Sequence, residues 1–145
     1  MTTTRVTYAD VRAVIDHPIE QVWAPIARFG GLERWVSGVS ACELEGEGVG
    51  AVRTVHLGDR SARERLEAID PVMHRLRYHI LPPHAMPAED VYSDIILTMI
   101  GKDRTEIVWQ SEAAGFSISP EELGARIGKF YSKSIEGLKR LLDGG

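Results

Sequence analysis

Glu64 is the residue whose position most invites chemistry. In the stretch Ala62-Arg63-Glu64-Arg65-Leu66-Glu67-Ala68, strand alternation separates Ala62, Glu64, Leu66 and Ala68 from Arg63, Arg65 and Glu67. The first set is mostly apolar and should face inward, which puts a carboxylate on an apolar face. In the preceding segment Arg53, Val55 and Leu57 form the more apolar set, and a turn near Gly58 would bring Arg53 close to Glu64. A buried charge needs a partner, and an arginine–carboxylate pair is the usual solution. Such a pair either anchors and polarises a ligand or serves as a structural ion pair beneath a sheet. Arg60, Arg63 and Arg65 read as a solvated strand face.

Other candidate groups are more dispersed. Between residues 90 and 100 the sets are Tyr92, Asp94, Ile96 and Thr98 against Val91, Ser93, Ile95, Leu97 and Met99. Periodicity alone places the second set inside. Leu76, Tyr78 and Ile80 should face inward, and Arg75, Arg77 and His79 should meet water. Further on, Ile107, Trp109 and Ser111 compete with Val108, Gln110 and Glu112, and alternation does not choose between them. His17, His56, His74, His79 and His84 lie on different elements without metal-ligand spacing, so no metal site is expected. No phosphate-binding or dinucleotide motif occurs, so no cofactor is expected. Cys42 is the single cysteine, so no internal disulfide holds the domain.

The positioning elements follow from punctuation and period. A strand is expected from residue 5 to residue 15. Asp16-His17-Pro18 then starts a short helix with Pro18 at its first position. Gly30-Gly31 breaks that helix, and a second short one follows from Leu32 to Trp35. Strands are expected over residues 39–45, 49–57, 62–69 and 74–81, separated by glycine- and aspartate-rich turns. After Pro82-Pro83-His84-Ala85-Met86-Pro87 come two longer ones, over 90–100 and 105–113. Tight turns between consecutive strands predict an antiparallel sheet. The last element has a serine cap at Ser119, Pro120 in the first turn and Glu122 at the capping-box position. Leu123, Ile127, Phe130, Tyr131, Ile135, Leu138, Leu141 and Leu142 then form one helical stripe, ended by Gly144-Gly145. Gly124 and Gly128 either leave room for a ligand or allow close helix–sheet packing.

The 145 residues suit one domain, and a 43% hydrophobic content supplies a core for it. A net charge of −4 with no basic stripe argues against nucleic acid. Met1-Thr-Thr-Thr lacks the blocks of a signal peptide, and no apolar run is long enough to span a membrane. A cytoplasmic monomer or homodimer is expected.

The chain resembles the START-like, birch-allergen-like superfamily (SRPBCC), and within it the polyketide cyclase/dehydrase group. The residues that carry the likeness are His17-Pro18-Ile19-Glu20-Gln21-Val22-Trp23, Trp35, Gly48-Val49-Gly50-Ala51-Val52-Arg53, Arg63-Glu64-Arg65-Leu66-Glu67 with Asp70, and Trp109. The resemblance implies an α+β helix-grip fold: a curved antiparallel seven-stranded sheet wrapped around the long C-terminal helix, with two short helices after the first strand. Plant abscisic acid receptors are similar from Glu64 through Tyr92. That likeness implies an inward Tyr92 and Asp94, against the periodicity, and a mobile mouth loop at residues 82–87.

What it implies for function is a hydrophobic or aromatic small-molecule ligand in an internal cavity. Cofactor-independent acid–base chemistry of cyclase, dehydratase or other lyase type would use Glu64, Asp94, Tyr92 and Arg53. Two carboxylates in an apolar chamber would raise at least one pKa. Leu66, Tyr78, Ile80, His84, Trp109, Ile127, Phe130 and Tyr131 would contact the ligand. The alternative is a non-catalytic carrier or sensor. A protein-interaction role through residues 82–87 is a third reading.

Overall fold

Strand β1 (Val6–Ile15) opens the described part of the chain, residues 4–144 of a computed structural model. Residues 1–3, read above for a leader, and Gly145, expected to help end the last helix, lie outside the described residues. Helix α1 (Ile19–Ala27) follows, and its Val22, Trp23 and Ile26 turn inward at helical spacing. Pro18 sits one place before the first helical residue, as the cap, rather than at the expected first position. The second short helix is a single 3₁₀ turn, Leu32–Arg34, entered through Gly31 at φ 70°. Glycine takes that left-handed conformation without steric cost.

The remaining strands are β2 (Ala41–Glu45), β3 (Val52–Leu57), β4 (Arg60–Asp70), β5 (Arg75–Ile80), β6 (Ala88–Glu89), β7 (Tyr92–Gly101), β8 (Arg104–Ala113) and β9 (Gly115–Phe116). Six of them join β1 in one antiparallel sheet of order β1-β8-β7-β5-β4-β3-β2. Consecutive strands are neighbours except at β1, which crosses to pair with β8. The two-residue strands β6 and β9 pair separately and tie the loop before β7 to the segment leading into the last helix. That ribbon has no periodic signal in the sequence, being too short to show one.

Helix α2 (Pro120–Gly144) lies on one face of this sheet, giving the α+β helix-grip arrangement. Ser119 Oγ accepts the Glu122 backbone N–H at 3.1 Å, as the cap predicts. Glu122 does not complete the reciprocal box; its carboxylate takes Arg126 one turn on, at 2.9 Å. Leu123, Tyr131, Ile135 and Leu138 are buried, and Leu141 and Leu142 are half-buried.

Two glycines set the helix's height above the sheet. A Cβ on Gly124 would stand 2.1 Å from the Tyr8 carbonyl oxygen, and one on Gly137 2.1 Å from that of Trp35. Both obstacles are backbone, so neither can swing aside. Gly124 is therefore a packing residue and makes no room for a ligand. A Cβ on Gly128 would meet only Val11 Cγ2, at 3.8 Å.

Gly137→Ala should therefore destabilise the fold by about 2–3 kcal/mol, despite alanine's better helix propensity. Gly128→Ala should be neutral or stabilising by up to about 1 kcal/mol. Urea unfolding followed by circular dichroism checks both. Equal stability of the two variants would contradict the close-approach assignment.

Candidate functional site

Between α2 and the concave face of the sheet lies a cavity of about 390 Å³. Its walls come from β1, β3, β4, β5, β7, β8 and α2, with Ile26 of α1 and the segment around Trp35. Trp35, Tyr78, Trp109, Phe130 and Tyr131 supply aromatic surface. Trp109 stacks on Tyr131 with ring centroids 4.0 Å apart and planes 8° from parallel.

Arg53 and Glu64 are direct cross-strand partners in the β3–β4 ladder. Both side chains therefore leave the sheet on the same side, as alternation predicts. Arg53 Nε donates to Glu64 Oε1 at 2.8 Å, and Nη1 donates to the Phe29 carbonyl at 2.9 Å. Its guanidinium also lies over the rings of Phe29 and Tyr78, 4.0 and 4.6 Å from their centroids. Arg53 is only 4% exposed and thus held on every side. Glu64 lines the cavity, and among the described residues no hydrogen bond engages its Oε2. The pair thus presents one carboxylate oxygen to whatever occupies the chamber.

A hydroxyl chain fastens the helix above it. Ser93 of β7 and Ser111 of β8 are register partners, both buried. Ser111 Oγ donates to the Tyr92 carbonyl at 3.2 Å and accepts from Ser93 Oγ at 3.1 Å. Each serine has one proton to give, so Tyr131 must donate to Ser93, at 3.1 Å, and Tyr8 to Ser111, at 2.5 Å. Trp109 Nε1 donates to the Tyr78 hydroxyl at 3.2 Å. Burial, reinforced by the Glu64 charge, pushes the Tyr78 phenol up to about 12. Burial also pushes Tyr131 well up, with Tyr78 and Tyr8 adding to it. These phenols are hydrogen-bonding groups and stay neutral at physiological pH.

The structure brings together most of the residues expected at the cavity. Arg53, Glu64, Tyr78, Ile80, His84, Trp109, Ile127, Phe130 and Tyr131 all line it. Leu66 does not. It faces inward but is 2% exposed within the core, away from the cavity wall. A bulge between Leu66 and Ala68 then reverses the alternation. Ala68 turns to solvent opposite Arg77, and Ile69 turns inward opposite Leu76.

Tyr92 and Asp94 are also corrected. They lie on the convex face, and Ser93, Ile95 and Leu97 turn inward, as the periodicity indicates. Asp94 pairs with Arg77 at 2.7 Å, and Arg77 also pairs with Glu112. Tyr92 stacks on His79 at 4.2 Å, with Arg5 and Arg77 over its ring. Burial raises Asp94 above its ordinary value against the opposing pull of Arg77. No carboxylate pair forms in the chamber, because Glu64 and Asp94 leave the sheet on opposite sides. In β8, Ile107, Trp109 and Ser111 take the inner face.

Tyr8 and Arg126 line the cavity without a signal in the sequence reading, and Arg60 lines it although it was read with Arg63 and Arg65 as a solvated face. Arg60 shares the parity of Ala62 and Glu64, which was the available signal.

The family model described as polyketide cyclase / dehydrase and lipid transport matches residues 5–143. A structural-genomics target from Bacillus thuringiensis is similar with a TM-score of 0.82 at 21% identity, over 96% of this chain and 98% of that one. A protein from Thermobifida fusca gives 0.78 at 25% identity, over 92% and 91%. Ara h 8.0201 gives 0.78 at 15% identity, over 98% and 100%. Comparison with curated proteins finds no match.

The buried phenols make the fold sensitive to alkali. Their folded pKa lies above the ordinary 10.0, so the folded state holds these protons more tightly than the unfolded chain. For Tyr78 the stabilising contribution is complete below pH 10.0 and is lost as pH rises through about 12, and Tyr131 acts in the same direction. Stability should fall across that window, with part of the tyrosinate absorbance appearing only as circular dichroism reports unfolding. Full tyrosinate absorbance from a still-folded protein would contradict this.

Proposed function

The chain belongs to the polyketide cyclase / dehydrase and lipid transport family, and from that premise we propose that it binds a small, largely apolar or aromatic molecule in the chamber under α2. The observation that carries this reading is an aromatic-walled cavity of about 390 Å³ with an open carboxylate oxygen at Glu64. The volume lies at the lower end of small-molecule sites. The walls supply contact area, and Glu64 supplies a single oriented acceptor, which suits a ligand hydroxyl or amine.

Holding the ligand fits the geometry better than transforming it. The acid–base scheme gave the proton transfer to Glu64 or Asp94 and the oxyanion to Tyr92, and Asp94 and Tyr92 are on the far face, Asp94 bound to Arg77. Tyr78 and Tyr131 hold their protons too firmly to act as acids near neutrality. A second reading, with Glu64 alone as a general base, is favoured by its open Oε2. It would suit a lyase-type step on a ligand with an acidic C–H or O–H.

N-phenyl-1-naphthylamine, a neutral apolar fluorophore, should bind one molecule per chain with enhanced emission. Ala62 lines the cavity, and Ala62→Phe should weaken that binding at least about tenfold by filling the space. Glu64→Gln should change the probe's Kd by no more than about threefold. Absence of saturable binding, or binding indifferent to Ala62→Phe, would sink the proposal. Turnover of an aryl substrate, abolished by Glu64→Gln while probe affinity persists, would move the reading to catalysis.

A further inference from the structure

The charge inside the cavity runs against the charge of the protein. The chain carries a net −4. The cavity, by contrast, is lined by three arginines, Arg53, Arg60 and Arg126, and one carboxylate, Glu64. With His84 neutral, the lining is two charges positive.

Arg60 and Arg126 are the lining cations outside the Arg53–Glu64 pair. Arg53 is consumed by Glu64 and the Phe29 carbonyl deep in the wall. Arg60, at the start of β4, and Arg126, in the second turn of α2, are exposed and line the cavity at its solvent end. Arg60 makes no ion pair with any described residue. Arg126 reaches Glu122 one helical turn back, but their side chains are 62% and 53% exposed. A pair that open to water is worth only a few tenths of a kcal/mol. It leaves Arg126 free to turn toward an anion. His84, which also lines the cavity, has a buried Nδ1 without a partner among the described residues.

This arrangement is polar at both ends and selects a direction. An anionic group entering head first would meet the open oxygen of Glu64, with the neighbouring guanidinium already engaged. The same group left at the rim meets two arginines. We infer that the ligand is an amphipathic organic acid, bound with its apolar or aromatic body inside the chamber and its carboxylate at the mouth between Arg60 and Arg126. The inference rests on the binding reading above and narrows its ligand to an anion of one orientation.

The test compares 2-naphthoate with 2-acetonaphthone, a neutral molecule of nearly the same shape, by isothermal titration. The acid should bind about tenfold more tightly than the ketone at low ionic strength, and high salt should narrow the gap. In the double variant Arg60→Gln/Arg126→Gln the two Kd values should converge to within about twofold. An unchanged circular dichroism spectrum shows that the variant is folded. A ketone that binds as tightly as the acid, or a preference that survives the double variant, overturns the anionic ligand and leaves the binding reading standing. If neither molecule binds, while N-phenyl-1-naphthylamine does, the anion inference alone fails. If none of the three binds, both readings fail.

Discussion

A helix can touch neighbouring backbone this closely only where it carries no side chain. α2 does so at Gly124 against Tyr8 of β1 and at Gly137 against Trp35 after the 3₁₀ turn. These contacts pin it along β1 and the 3₁₀ turn, at one margin of the seven-stranded sheet. β3 and β4 lie toward the other margin, across the cavity from the helix. Large side chains fill part of the gap between them and leave the rest as a cavity. The hydroxyl chain from Tyr131 through Ser93 and Ser111 fixes the helix's register over the same strands.

The sheet separates two electrostatic roles by face. On the concave side, Arg53 and Glu64 form one well-buried pair with ring faces and a carbonyl around the guanidinium. Removing one partner of such a pair costs far more than the pair itself contributes. On the convex side, Arg5 and Arg77 pair with Asp90, Asp94 and Glu112 around the stacked rings of His79 and Tyr92. Proton-bearing groups that look alike in the chain are thus divided between a cavity and a self-contained ion network.

Alternation carried much of this from the sequence. It placed Arg53 and Glu64 together, put Tyr78 and Ile80 inside, and put Ser93, Ile95 and Leu97 inside as well. The family likeness pointed Tyr92 and Asp94 the other way, and the local period was the better guide, because one face of β7 had to be apolar. What alternation missed has physical causes. The bulge after Leu66 shifts parity by one residue and leaves no mark in composition. The β6–β9 ribbon is too short to have a period. Arg60 and Arg126 read as ordinary surface charges, since a rim is solvent-exposed and cavity-lining at once.

The central claim is that a ligand occupies the chamber beneath α2. The three tryptophans report on this directly, because Trp35 and Trp109 line the cavity and the buried Trp23 on α1 does not. ¹H–¹⁵N spectra recorded while N-phenyl-1-naphthylamine is added should shift the Trp35 and Trp109 indole resonances and leave that of Trp23 in place. Saturable binding that moves Trp23 alone, or none of the three, would place the ligand elsewhere and contradict the account.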